Sequence, residues 1–286
     1  MYFTEEYVSN LKQSLETGER RSLRSRRNKR YVSGKGLYDR YVSDICESTD
    51  TVKSLVDKLE RQNICVTEMV MRTLLADCAL KLLVSSGEIT VDREIFPAYI
   101  DGSLTIGVWS ALIDDIIQDK KAALSWANNN KNLMDTNYYY QKGEDVLGLL
   151  YMSIRDAGSR KAAGSYYTPT KVVRTLISDV TGDMGSRISE GGKRLFDPCC
   201  GTGNFLIQLP DDIELNNIYA CDIDELSVQL ARFNLALGRL SGRRHVNVDE
   251  AIWTIYEHIE RRDFISEYRN DSELSLIHIS EPTRRS

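Results

Sequence analysis

A chain of 286 residues, 42% hydrophobic and 28% charged, is long enough for two domains and has the balance of a soluble globular protein. Its formal net charge of −5 and pI near 5.4 exclude a uniformly basic molecule built to coat a polyanion. No run approaches the roughly 18 apolar residues of a membrane span, and the first residues lack the basic-then-apolar order of a signal peptide.

The six cysteines, at 46, 65, 78, 199, 200 and 221, have no repeated pair spacing. That pattern fits neither a disulfide scaffold nor a zinc knuckle and points to the cytoplasm. Three scattered histidines form no HxH or HExxH pattern, so no metal site is expected.

Taken in chain order, the first feature is a basic cluster: Arg20, Arg21, Arg24, Arg26, Arg27, Lys29 and Arg30. It reads either as a phosphate-contacting, salt-sensitive patch or as a solvated surface. The first 160 residues are otherwise mainly helical in pattern. Val52, Leu55, Val56 and Leu59 recur at helical spacing after Asp50 and Thr51, which are suitable N-caps. A second helix is expected from about Thr67 to Val84, stopped by Gly87, and others over Val108–Ile117 and Val146–Ile154. Asn128–Asn130 reads as a polar break between the last two. The Tyr138-Tyr139-Tyr140 run lacks interleaved basic residues, which favours packing over base stacking.

After Arg160 the pattern changes. Gly164 to Pro169 reads as a loop, and Thr170 as the cap of a helix carrying Val172, Val173, Leu176 and Ile177. A strand then ends at Asp197, followed by a tight turn at Gly201 and Gly203 and a short helix from Asn204 that must end near Pro210. Ile218–Cys221 is the next strand, ending at Asp222, and Leu226–Leu240 the next helix. Strand, turn, helix, strand, helix is the opening of a parallel α/β sheet.

Ligands of such sheets sit beyond the carboxyl ends of the strands, where Asp197 and Asp222 both fall. Asp222 follows Gly203 by nineteen residues, an interval suited to a carboxylate that accepts hydrogen bonds from ribose hydroxyls. No Lys-Ser or Lys-Thr follows the loop, and the third glycine of a dinucleotide fingerprint is missing.

Asp197-Pro198-Cys199-Cys200-Gly201-Thr202-Gly203-Asn204-Phe205-Leu206 resembles the cofactor loop of the DNA methyltransferases that modify adenine at N6, including those of restriction–modification systems. Gly164-Ser165-Tyr166-Tyr167-Thr168-Pro169 resembles the segment preceding it in that family. Cys221-Asp222-Ile223-Asp224, with Leu230 to Leu235, resembles the next motif. The match is good over 161–240 and loose over the helical N-terminus.

The resemblance implies an α/β chain: a partial Rossmann-like, S-adenosylmethionine-dependent methyltransferase sheet preceded by a mainly helical N-terminal region (1–160), with the methyltransferase part over 161–273. It implies S-adenosyl-L-methionine as cofactor. Tyr166, Tyr167, Thr168 and Pro169 would border its methionine end. Asp197, Pro198, Gly201, Thr202, Gly203, Asn204 and Phe205 would line its middle, Asp222 would hold the ribose, and Ile223 would pack on the adenine. A third acidic position is placed at Asp263, with Phe264 flanking the ring and Asp249 as the competitor. Double-stranded DNA is the implied substrate of the intact parent, and a specificity or restriction subunit the implied kind of partner.

The family also supplies an Asn/Asp-Pro-Pro-Tyr/Phe element after the fourth strand, to hold the target amine and stack the flipped base. No Pro-Pro occurs in these 286 residues, and 23 follow Asp263. Leu274 to Arg284 resembles a translated sequencing adapter, so 274–286 reads as a non-native tail and His278 carries no functional weight. On that reading the chain is a catalytically silent fragment, and no catalytic residue is assigned within it. Two alternatives stay open: an RNA or protein methyltransferase fragment, and a non-catalytic DNA-binding or assembly module joined to a degenerate methylase domain.

Overall fold

The computed structural model describes residues 41–155, 168–181, 194–243 and 247–268. The basic cluster, Tyr166, Tyr167 and the 274–286 tail lie outside them.

The helical region starts with α1 (Thr49–Arg61), which buries Val52, Leu55 and Leu59 on one face. It begins one to two residues before the expected caps: Ser48 occupies the N-cap position and Asp50 lies in the first turn. Thr51 instead donates its hydroxyl to the Asn137 carbonyl. Helix α2 (Glu68–Ser85) lies where the apolar stripe placed it, and the Thr67 side chain caps it by accepting from the Val70 amide. Its buried residues lie all around it, Arg72 and Asp77 included, so it is the central helix of this region. Gly87, just past its end, has φ +81°, a conformation that suits glycine.

Helices α3 (Ile95–Ile100) and α4 (Trp109–Ile117) follow, then α5 (Lys120–Asn129), the short α6 (Lys131–Met134) and α7 (Val146–Ile154). Helix α5 was not expected, and it absorbs Asn128 and Asn129, leaving only Asn130 as the break. Its buried contact is just Ala123 and Ala127, too thin a stripe to announce itself. The Asp119 side chain fixes its start by accepting from the Ala122 amide. Tyr138 is buried and Tyr140 packs half-buried against the core, while Tyr139 is exposed, so packing accounts for the first and last tyrosines of the run.

Helix α8 (Thr170–Thr181) leads to the sheet: β1 (Leu195–Asp197), β2 (Ile218–Asp222) and β3 (Ile259–Arg261), all parallel, in the order β1-β2-β3. Thr170 is the first residue of α8 rather than its cap. The helix expected from Asn204 is only a 3-10 turn, Leu206–Gln208. Helix α9 (Glu225–Leu240) joins β2 towards α10 (Val248–His258), and α11 (Phe264–Tyr268) follows β3.

Helix α9 is buried on more than its apolar face. Gln229 and Asn234 are buried against the helical region, through Arg72 and Asp145, and Arg239 is buried where it donates to the Leu209 and Pro210 carbonyls. Phe233 meets Trp109 of α4 with ring centroids 6.3 Å apart. Arg72 of α2 donates to Gln229 Oε1 (2.8 Å) and to the Ile116 carbonyl (3.2 Å). One continuous hydrophobic core therefore runs from α1 through α9 to β3 among the described residues.

Candidate functional site

Parallel register sets Asp197 opposite Ala220 and Asp222 opposite Arg261, so both acids and the residues after β3 lie at the carboxyl ends of adjacent strands. Between β1 and the Leu206–Gln208 turn the chain folds back on itself. The Cys200 amide donates to the Cys221 carbonyl (3.0 Å) and the Gly203 amide to the Cys200 carbonyl (2.8 Å). Gly201 and Gly203 take φ of +52° and +88°. A β-carbon at Gly203 would stand 3.1 Å from Ala231 Cα, so glycine is needed there for close packing on α9 as well as for the turn.

The turn delivers the Gly201 amide to Asp222 Oδ2 (2.9 Å), while the Asp224 amide donates to Oδ1 (2.9 Å). Each oxygen thus accepts one backbone hydrogen bond and keeps a second lone pair for another donor. Next to it, just past the end of β2, the apolar side chain of Ile223 is 64% exposed.

Asp197 accepts from the Cys199 amide (3.1 Å). Burial, reinforced by the charge of Asp222 and opposed by that amide, lifts its carboxyl from the ordinary 3.8 to about 6. Because the folded state holds this proton more tightly than the unfolded chain, the penalty is absent below pH 3.8. It grows through the window and is complete above about pH 6. Asp197→Asn keeps an acceptor for the Cys199 amide and removes the charge. It should raise stability by about 2 kcal/mol at pH 7.5, after allowance for solvent screening, and by nothing at pH 3.5. Thermal melts of the two proteins across pH 3.5–7.5 check this; a pH-independent difference would contradict it.

Thr168 and Pro169 are brought to the same loop. Asn204 Nδ2 donates to the Thr168 carbonyl (2.9 Å), and the Thr170 hydroxyl donates to Asn204 Oδ1 (3.2 Å). The Pro198 carbonyl faces the Cys221 thiol (3.5 Å), and Phe205 packs half-buried on the core. Burial pushes the thiols of Cys200 and Cys221 up, Cys221 to about 12, so neither offers a thiolate at neutral pH.

After β3, Asp263 is exposed and its carboxylate accepts from the amide (3.1 Å) and hydroxyl (2.6 Å) of Ser266 in α11. Phe264 lies against Phe196 of β1, centroids 5.2 Å apart. Asp249 instead occupies the first turn of α10, which Asn247 caps, and so follows no described strand.

Six contributors were not singled out in the sequence: Tyr41, Asp145, Gly148, Tyr151, Arg155 and Asn234. Asp145 is fully buried. Its Oδ2 accepts from the hydroxyls of Tyr41 (2.5 Å) and Thr202 (2.5 Å), and its Oδ1 from the Gly148 amide (2.7 Å) and Asn234 Nδ2 (2.7 Å). Asn234 Nδ2 also reaches the Thr202 carbonyl (2.9 Å). Burial pushes the Asp145 carboxyl up and the four donors oppose it. Six residues further along α7, Tyr151 donates to Asp224 Oδ2 (2.5 Å), joined there by Arg155 (3.1 Å) and Ser227 (3.0 Å). The usable signal was an isolated glycine, Gly148, inside an otherwise apolar helix just after a capping aspartate.

These features define a helix-rich α/β protein with a small parallel sheet, compatible with a methyltransferase-like fold. Residues 142–262 match the family described as N-6 DNA Methylase. The Type II methyltransferase M.VspI of Vibrio sp. (strain 343) is 26% identical over 195 residues, covering 68% of this chain and 42% of that protein. The resemblance of these motifs to the N6 DNA methyltransferases of restriction–modification systems is borne out by both. The matched part of the chain spans less than half the length of that relative. No solved structure matches, and no described helix is long and apolar enough to cross a membrane.

Proposed function

We propose that the carboxyl edge of the sheet binds S-adenosyl-L-methionine, and that the whole protein transfers its methyl group to adenine N6 in double-stranded DNA. The observation that carries this reading is the Asp222 carboxylate, oriented by the Gly201 and Asp224 amides beside the exposed Ile223. The residues fit the cofactor. Free lone pairs on Asp222 suit the two ribose hydroxyls, Ile223 offers an apolar face to the adenine, and the glycine turn leaves room for the chain between them. When bound, the cofactor supplies a methyl group on a sulfonium, an electrophile for an amine. The protein's share is to hold the nucleoside end rigidly, so that the methyl is aimed rather than merely present.

On this reading Thr168 and Pro169 border the methionine end, joined by Tyr166 and Tyr167. Asp197, Pro198 and the 201–205 loop line the middle, and Asp263 with Phe264 completes the adenine end. The sheet is then the start of a Rossmann-like methyltransferase sheet over 161–273, behind a helical region over 1–160. The chain contributes the cofactor half of the site. Methyl transfer needs an Asn/Asp-Pro-Pro-aromatic element from outside it, so this chain alone should methylate nothing. A cytoplasmic enzyme acting beside a specificity or restriction subunit is the setting we propose.

Calorimetric titration of the chain with S-adenosylmethionine, S-adenosylhomocysteine and NAD tests the cofactor assignment. Saturable binding of the first two and none of NAD is expected. Absence of binding to either sulfur cofactor would end the reading. For the whole protein, transfer of labelled methyl to adenine in duplex DNA is expected; methylation of RNA or protein alone would overturn the substrate assignment.

A further inference from the structure

We infer that helix α7 is a bracing element of the cofactor site, with Asp145 as the positioning residue of the glycine loop and Tyr151 and Arg155 as positioning residues of the acidic turn; this rests on the cofactor reading above. The geometry is two clamps on one helix. At its amino end, Asp145 fills all four lone-pair positions of a buried carboxylate, and the Thr202 hydroxyl between Gly201 and Gly203 is one of the four donors. At its carboxyl end, Tyr151 and Arg155 converge on Asp224 Oδ2, whose own backbone amide holds Asp222 Oδ1.

The glycine loop and the acidic turn meet through the partly exposed Gly201 amide and Asp222 contact, and beneath it through the Cys200 amide and Pro198 carbonyl against Cys221. Glycines at positive φ give the loop little stiffness of its own. Helix α7, buried along almost its whole length, fixes the spacing of the two halves from behind. The fourth donor, Tyr41, is contributed by the chain before α1, and its carbonyl accepts from the Thr170 amide (2.7 Å). The helical region is therefore part of the site's construction, not a separate module tethered to it.

Asp145 touches no cofactor in this account, so its effect must show as altered binding in a folded protein. Thr202→Val removes one donor with little change of shape, and Thr202→Ser restores the hydroxyl. Tyr41→Phe removes a donor from a residue outside the loop. Leu112→Ala, a buried position in α4, serves as a variant that opens a cavity in the core and removes no donor of α7's clamps.

S-adenosylmethionine affinity by calorimetry, paired with thermal melts, is the measurement. Thr202→Val and Tyr41→Phe should each bind about tenfold more weakly, the scale of one lost hydrogen bond to a charged group. Thr202→Ser should regain affinity relative to Thr202→Val, and Leu112→Ala should bind normally despite a lower melting temperature. Equal affinity of Tyr41→Phe and Thr202→Val to the parent overturns the inference. So does a loss in Leu112→Ala as large as theirs, because binding would then follow stability alone. Should Thr202→Val fail to fold, Tyr41→Phe and Arg155→Ala carry the same comparison. Failure of the unmodified chain to bind would instead strike the cofactor reading itself.

Discussion

Asp222→Ala is expected to weaken S-adenosylmethionine binding by about a hundredfold while lowering stability by no more than about 1–2 kcal/mol. Two effects reach the ligand together. The carboxylate that would accept both ribose hydroxyls is removed, and the Gly201 and Asp224 amides lose the anion that sets their direction. Stability suffers less because the position is only partly buried, so water can reach the freed amides. Asp222→Asn is the sharper comparison. Its amide nitrogen has to face one of the two backbone N–H groups, so one clamp persists and the other becomes a donor–donor contact. It should fall between the parent and alanine in affinity. Calorimetry resolves the three proteins, and an alanine variant with parental affinity would remove Asp222 from the site.

The contrast between Asp222 and Asp145 shows what could and could not be read from the sequence. Asp197 and Asp222 announce themselves because each ends a short apolar run, and strand periodicity places them on the sheet's carboxyl edge. The helix over Val146–Ile154 and the start of α2 near Thr67 were equally legible, since apolar spacing is local. Helix α5 was not, because two buried alanines leave almost no periodic signal.

Asp145 and Asn234 are 89 residues apart in sequence, and Asp145 and Thr202 are 57 apart. Nothing local says that a capping aspartate will also accept two side-chain hydroxyls from distant segments. Arg72 is similar: its charge suggests a solvated face, whereas it is buried and spent on α4 and α9. Polar residues whose partners lie far away in sequence are what pattern reading misses, because periodicity reports burial and not pairing. In this chain those pairs join the helical region to the sheet, so the boundary near residue 160 is a change of sequence pattern laid over a continuous core.

That continuity makes Gly148 the most consequential glycine outside the loop. In a helix interior, glycine to alanine ordinarily stabilises by about 0.5–1 kcal/mol. Gly238 in α9 should follow that rule, since a β-carbon there would meet only Ile207 Cγ2 at 3.8 Å. At Gly148 the same carbon would lie 2.2 Å from Asp145 Oδ2 and 2.5 Å from Thr202 Oγ1. Neither atom can step aside cheaply: the carboxylate is pinned by four donors in a site sealed from water, and Thr202 is fixed by the turn it sits in. Displacing Asp145 leaves a buried charge short of partners, a change of about 3–5 kcal/mol that overwhelms the helix preference. Gly148→Ala is therefore expected to lower the melting temperature by roughly 10 °C, and Gly238→Ala to raise it slightly. The opposite signs of two chemically identical substitutions, read side by side in thermal or urea unfolding, are the test. A Gly148→Ala protein as stable as the parent would mean that the Asp145 network yields freely, and with it would go the case for a rigid brace behind the glycine loop.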